Sequence, residues 1–448
     1  MQDSRVHTFH IPVLGLAFSI DTPIRVARYG ISSVISIVDD ILIEQMRKHY
    51  CSLHGEPFTS ISSKDDDYRA QRITEYLNLV QRIVRTQIEK LKALAFEKGS
   101  EIVKYFEMLP DRSPLKTLYH VMMQTSDGGF KATLQQELRT RIVAGSIDVN
   151  IMTKLNKSNL GPGGVELPGE YSDSLAALRG FAKSELNSSV VLSAGLNPRL
   201  YSYLGECKEF LPDKHGKLRK KVILKVSDHR SALIQGKFLA KRGIWISEYR
   251  IESGLNCGGH AFATDGLLLG PILEEFKLKK QDLISELHEL YICALRERDV
   301  PAAGTPFPVR LTVQGGIGTA SEDRFLREYY QVDGTGWGSP FLLVPEATNL
   351  DDDTRQRLAN AQQHDFYLSD ASPLGIPFHN LRGSASEHLA RHRAESGKPG
   401  SPCTKKYLVS NTEFTEQPIC TASRQYQTLK IKQLKSLNLP PGELREKI

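Results

Sequence analysis

A histidine behind a glycine pair is the first candidate for chemistry in this chain. Gly254, Leu255, Asn256, Cys257, Gly258, Gly259 and His260 follow one another at the end of an apparent strand. Glycine lets backbone lie flat against a ring or a phosphate, which gives Gly258 and Gly259 a binding role. An imidazole with an ordinary pKa near ~6.5 suits proton abstraction at neutral pH. His260 is therefore the candidate base, with a contact to a bound group or a hydrogen bond to backbone as its other readings. Cys257 in the same loop is an alternative nucleophile, although no neighbour in sequence explains how its thiolate would form. A second set lies further along. An apolar run over 309–313 leads into Gly315 and Gly316, a helical stretch covers 320–330, and a second glycine turn carries Gly336, Gly338 and Ser339. Two such turns at βαβ spacing form a phosphate cradle, in which backbone N–H groups and the Ser339 hydroxyl donate to the oxyanion. Asn150 and Lys225, in two other apolar runs, bring an amide and an ammonium to the same rim.

These residues need a scaffold that gathers strand ends. Apolar runs at 11–18, 31–38, 147–152, 189–194, 221–226 and 244–251 read as six strands, and the cradle supplies a seventh and an eighth. Helical stretches separate them, and Asp228-His229 reads as the N-cap region of the one after residue 226. Eight strand–helix pairs make an α/β chain of the (β/α)8 (TIM) barrel class, whose strand C-termini carry the site. Residues 41–146 break the alternation. There, Ile73, Leu77, Val80, Ile83, Val84, Ile88 and Leu91 recur at helical spacing. This region reads as a helical insertion after strand two, serving as a cap, a dimer surface or a lid. The barrel is expected over 1–365, with a break near 277–280 in its sixth helix. Residues 366–448 are expected as an extended tail packing on the barrel, with a helix near 384–396.

Composition bounds the reading. The chain has 448 residues, 40% of them hydrophobic and 25% charged, which excludes disordered and fibrous classes. A net charge of +6 is mild for this length; a basic rim for an anionic ligand accounts for it without nucleic acid. The six cysteines form no CxxC pair, although Cys403 and Cys420 flank one polar segment of the tail. Residues 1–10 are polar and the apolar run behind them is too short to span a bilayer. A cytoplasmic protein with reduced thiols and no membrane attachment is expected.

The stretch from Gly254 to His260 resembles the post-strand-six loop of the nitronate monooxygenase (2-nitropropane dioxygenase-like) FMN-dependent family, which includes the FMN-type enoyl-acyl-carrier-protein reductases. The resemblance extends to Gln314-Gly315-Gly316-Ile317-Gly318, to Gly336-Trp337-Gly338-Ser339-Pro340-Phe341, and to the first strand and turn around Gly15. It covers strands one and three to eight, about two thirds of the chain. It implies FMN as cofactor, with its phosphate at Gly315, Gly316, Gly336, Gly338 and Ser339. Gly15, Gly258 and Gly259 would lie along the cofactor. Asn150 and Lys225 would face the N1–O2 edge, where charge builds on reduction, and His260 would act on a small organic substrate. Oxygen or NAD(P)H would be the co-substrate, and a homodimer is compatible. The chain departs from the family at Asn256-Cys257, in the long insertion and beyond Arg382. Two alternatives stay open: an NAD-dependent dehydrogenase of the inosine-monophosphate dehydrogenase type using Cys257, and a non-catalytic binding protein.

Overall fold

The first barrel strand is far shorter than its apolar run. In the structure, a computed structural model, β1 spans only Phe9–Ile11 rather than 11–18. Pro12 follows with no N–H to donate, and Gly15 turns the chain at φ +124, its carbonyl accepting from the Ser19 amide at 3.0 Å. The structure describes the chain except for residues 1–4, 16–17, 38, 153–157, 160–164, 194, 253–255, 258–259, 262–267, 302–303, 370–376 and 402–408; for 256, 257, 260, 261 and 446 it describes the backbone alone.

The remaining strands are β2 (Ser32–Ser36), β3 (Ile147–Ile151), β4 (Ser189–Leu192), β5 (Lys221–Val226), β6 (Ile246–Ile251), β7 (Asn256–Cys257), β8 (His260–Ala261), β9 (Arg310–Gln314), β10 (Gly334–Gly336), β11 (Phe366–Ser369) and β12 (Phe378–Leu381). A closed barrel forms in the order β1-β10-β9-β6-β5-β4-β3-β2, with every neighbouring pair parallel. This is the (β/α)8 architecture that the alternation predicts. Its seventh and eighth strands are β9 and β10, and β7 and β8 stand outside it.

The chain divides into two compact units. The first holds the described residues up to Glu252 and from Leu268 to Asn349; the second holds β7 and β8 with the residues from Leu350 onward.

In the first unit, α1 (Thr22–Val26) continues as a 3-10 turn over Ala27–Tyr29 and stops at Gly30, which is left-handed at φ 78. A Cβ there would come within 2.4 Å of the Val6 side chain, so the stop is steric as well as conformational. Between β2 and β3 lie α2 (Asp40–His54), α3 (Tyr68–Ala93), α4 (Glu101–Glu107), α5 (Pro114–Gln124) and α6 (Gly128–Thr140). All seven apolar positions expected on α3 are buried. Its N-terminal half packs against α7 (Asp173–Lys183), where Gly180 leaves no room for a Cβ beside Ala70 O at 2.8 Å. Arg69 and Arg72 of α3 both pair with Asp40, at 3.1 and 2.7 Å, and α3 takes the place of a barrel helix. Its C-terminal half shares a separate core with α4–α6. There Phe106 stacks between Phe96 and Tyr119, at 5.8 and 5.4 Å.

The barrel continues through α8 (Pro198–Glu206), α9 (His229–Ala240), α10 (Leu269–Glu297), α11 (Ala320–Tyr329) and α12 (Ser339–Leu342). Asp228 caps α9 as expected, accepting from the Ser231 amide at 2.6 Å. No break occurs in α10. It runs unbroken for 29 residues because Lys277, Lys279 and Lys280 find Glu274, Glu275 and Asp333 as partners.

The second unit contains α13 (Asp352–Asn360), α14 (Ala385–Glu395), α15 (Arg424–Ser436) and α16 (Pro441–Lys447). The helix expected near 384–396 is present as α14. Within 366–448, α15, α16 and a sheet accompany it, none of them expected from the sequence. The sheet has four strands in the order β11-β12-β8-β7.

Candidate functional site

Barrel closure turns alternate residues of each strand inward, and in this protein the inward residues are largely polar. On β6 these are Glu248 and Arg250, with Glu252 just beyond the strand; on β9 they are Arg310, Thr312 and Gln314, in register with β6. Among the described residues, Val34, Val191 and Ile223 of β2, β4 and β5 form an inward apolar cluster with Val13 against them.

The polar residues separate into two levels. Toward the strand N-termini, Glu248 accepts from Arg250 Nε at 2.9 Å, Arg5 Nη1 at 3.0 Å and Thr312 Oγ1 at 2.8 Å. Arg250 also lies 3.7 Å from Asp148, whose carboxylate takes a 2.6 Å bond from Ser146 Oγ. Burial alone would favour the neutral acid, but the guanidiniums of Arg250 and Arg5 outweigh it and hold the Glu248 carboxyl far below the usual range. This level sits at the end of the barrel where buried residues serve stability.

Toward the strand C-termini, residues on β5, β6, β9 and β1 are linked side by side. Lys225 Nζ lies 3.0 Å from Glu252 Oε1. Gln314 Nε2 donates to the same oxygen. Gln314 Oε1 lies 3.1 Å from His10 Nε2. Because the Gln314 amide nitrogen faces a carboxylate, its oxygen faces His10, so the histidine carries its proton on Nε2. Burial, with the Arg250 charge adding to it, pushes the His10 pKa down to about 3, so the ring is neutral at pH 7. On the other side, Asn150 Nδ2 donates to Ser36 Oγ across β3 and β2, at 3.4 Å.

The glycine turns lie beside this cluster. Gln314 pairs with Gly336, so the ends of β9 and β10 are adjacent. Gly315 and Gly316 follow at φ +100 and +73, and nothing lies within 4 Å of the place a Gly316 Cβ would take. Gly338 is the N-cap residue of α12, and Ser339 opens that helix, exposed. One set of donors in the cradle is already used: Glu322 accepts from the Gly318 and Thr319 amides, both at 2.9 Å, as part of the α11 capping box. The free donors of the turn are therefore to be sought at Gly315, Gly316 and the start of α12. Gly336 faces the interior, where an added Cβ would lie 2.6 Å from Gln314 Cβ and 2.8 Å from His10 Nε2. Its lack of a side chain makes room for that pair.

The other sequence candidates fall elsewhere. The backbone of His260 pairs with Cys257 and with Phe378, in the second unit's sheet rather than in a barrel strand. Gly258 and Gly259 lie outside the described residues, as does Cys403; Cys420 is buried and free. Gly15 is exposed behind β1. Sequence reasoning missed Glu252, Gln314, His10, Glu248 and Arg250. A signal was present: polar residues recur with period two at 248, 250 and 252 and at 310, 312 and 314, in strands expected to be buried on both faces. The hairpin of β7 and β8 also had one, a Gly-Gly dipeptide between strand-like residues.

No family model matches the chain. No curated protein matches it either.

Proposed function

We propose that the protein is an FMN-dependent oxidoreductase acting on a small organic substrate, with the FMN phosphate at the ends of β9 and β10. One observation carries the reading. Strands seven and eight of a closed (β/α)8 barrel end side by side in glycine turns, and a short helix, α12, starts just past the second. That is where barrels of this class often hold a phosphate. The residues fit the group on two counts. Space is open at Gly316, and Ser339 stands exposed at the first turn of α12.

The flavin would supply the electron transfer, with oxygen or NAD(P)H as the second substrate. Gly315, Gly316 and Ser339 would bind the phosphate through N–H and hydroxyl donors. Lys225 would place positive charge beside the ring edge that gains electrons, shared with Glu252, and Asn150, two strands away on β3, would add an amide donor. His260 would hold or remove the substrate proton, the role its resemblance implies. A cytoplasmic location belongs to the same reading; among the described residues no helix is long and apolar enough to cross a membrane.

The test is the colour of the purified protein. A yellow preparation that releases FMN on denaturation supports the reading. A colourless one that takes up no added FMN overturns it.

A further inference from the structure

We propose that His10, Gln314 and Gly336 are positioning residues for the Glu252–Lys225 pair, so that the barrel mouth offers an oriented ammonium to a small carboxylate ligand. The inference deepens the reading of the mouth as a ligand site and rests on it.

Gly336 sits between two side chains that must meet. Its strand, β10, lies between β1 and β9, so His10 and Gln314 reach each other across it. A Cβ at 336 would overlap both partners. The glycine is thus required by a hydrogen bond between two other strands. That bond sets the amide: with Oε1 held by His10 Nε2–H, the Gln314 N–H points to Glu252. The carboxylate, 5% exposed, is held by Gln314 on one side and Lys225 on the other. Every link but the last is closed to solvent. His10, Gln314 and Glu252 are buried, whereas the Lys225 side chain keeps 15% of its surface. The chain therefore ends on a cation at the C-terminal end of the barrel, where ligands of such folds bind.

The Glu248 cluster makes the contrast. Its partly exposed cations, Arg5 at 22% and Arg310 at 19%, lie at the opposite end of the barrel, which is not the ligand-binding face of such folds. A neutral His10 also fits a positioning role, since a charged ring would draw the carboxylate away from Lys225.

Acetylation of Lys225 in the full chain, with the exposed Lys241 as internal reference, tests this. Acetate and propionate serve as protecting probes, and flavin absorbance is recorded on the same samples. At least one anion is expected to slow modification of Lys225 but not of Lys241. Gln314→Leu, Gly336→Ala and His10→Phe should each raise the half-protecting concentration about fivefold or more, the worth of one oriented hydrogen bond. His10→Gln keeps an N–H donor for Gln314 and should protect like the wild type. A mere packing role predicts the reverse order, with Phe tolerated better than Gln. Wild-type behaviour in His10→Phe, loss in His10→Gln, or no protection of Lys225 by either anion overturns the proposal. A colourless protein whose Lys225 is still protected would sink the flavin reading and leave this one standing.

Discussion

His10 should give the barrel an acid-sensitive stability that a single substitution removes. Its ring is enclosed by β1, β9 and β10, and its pKa falls from 6.5 to about 3 on folding. Burial is the main cause, and Arg250 adds to it. The sign follows from proton counts. Between pH 3 and 6.5 the unfolded chain binds a proton at this position and the folded one does not, so stability rises with pH across that window. One proton corresponds to about 1.4 kcal/mol per pH unit, or about 5 kcal/mol over the whole window. His10→Gln removes the titration while keeping a donor for Gln314 Oε1. Urea unfolding of both proteins at constant ionic strength between pH 6.5 and 4.5 should show wild-type stability falling faster with acid, by about 1.4 kcal/mol per unit. Carboxylates, His7 and His229 also respond to acid, but they are common to both proteins and cancel in the difference. Equal slopes for the two proteins would refute the placement of a neutral, buried histidine there.

Four further outcomes follow from the same structure. Glu248→Gln leaves Arg250 buried with only Asp148 near it, and should cost about 3–5 kcal/mol in urea unfolding. Phe106→Ala empties the aromatic stack of the α4–α6 core and should cost about 3–5 kcal/mol, read as a drop in the thermal midpoint. Burial lowers the Lys220 pKa to about 7 although its ammonium donates to Ser184 O and Leu186 O; relative to Lys220→Met, the wild type should gain stability as pH rises from 7 toward 10.5, because only the unfolded chain keeps the proton there. His260→Ala should abolish turnover while the protein stays yellow, and Cys257→Ala should retain turnover. The opposite pattern would favour a thiol nucleophile.

Much of the fold was legible because its signals are local. The apolar face of α3 needs only seven side chains at helical spacing, and the Asp228 cap needs only the residues after it. Six of the strands appeared as apolar runs, and the seventh and eighth were marked by the glycine turns that follow them. The limits of β1 were legible only in part: Pro12 stood in plain view, but the length of a strand also depends on its partners, and β1 meets β10 through only two residue pairs. The unbroken α10 depended on partners such as Asp333, far along the chain.

By itself the sequence determined the number and order of strand–helix units, and with them a barrel with glycine turns after strands seven and eight. Hydrophobic periodicity and turn chemistry act within a few residues, so they survive without tertiary context. Only the folded chain decided which polar residues meet. His10 and Gln314 are 304 positions apart and become neighbours through barrel register and a missing Cβ at Gly336. His260 and Phe378 pair because a distant strand, β12, completes the sheet of β7 and β8. Closure and register are collective properties of all strands at once, and no local pattern of residues encodes them.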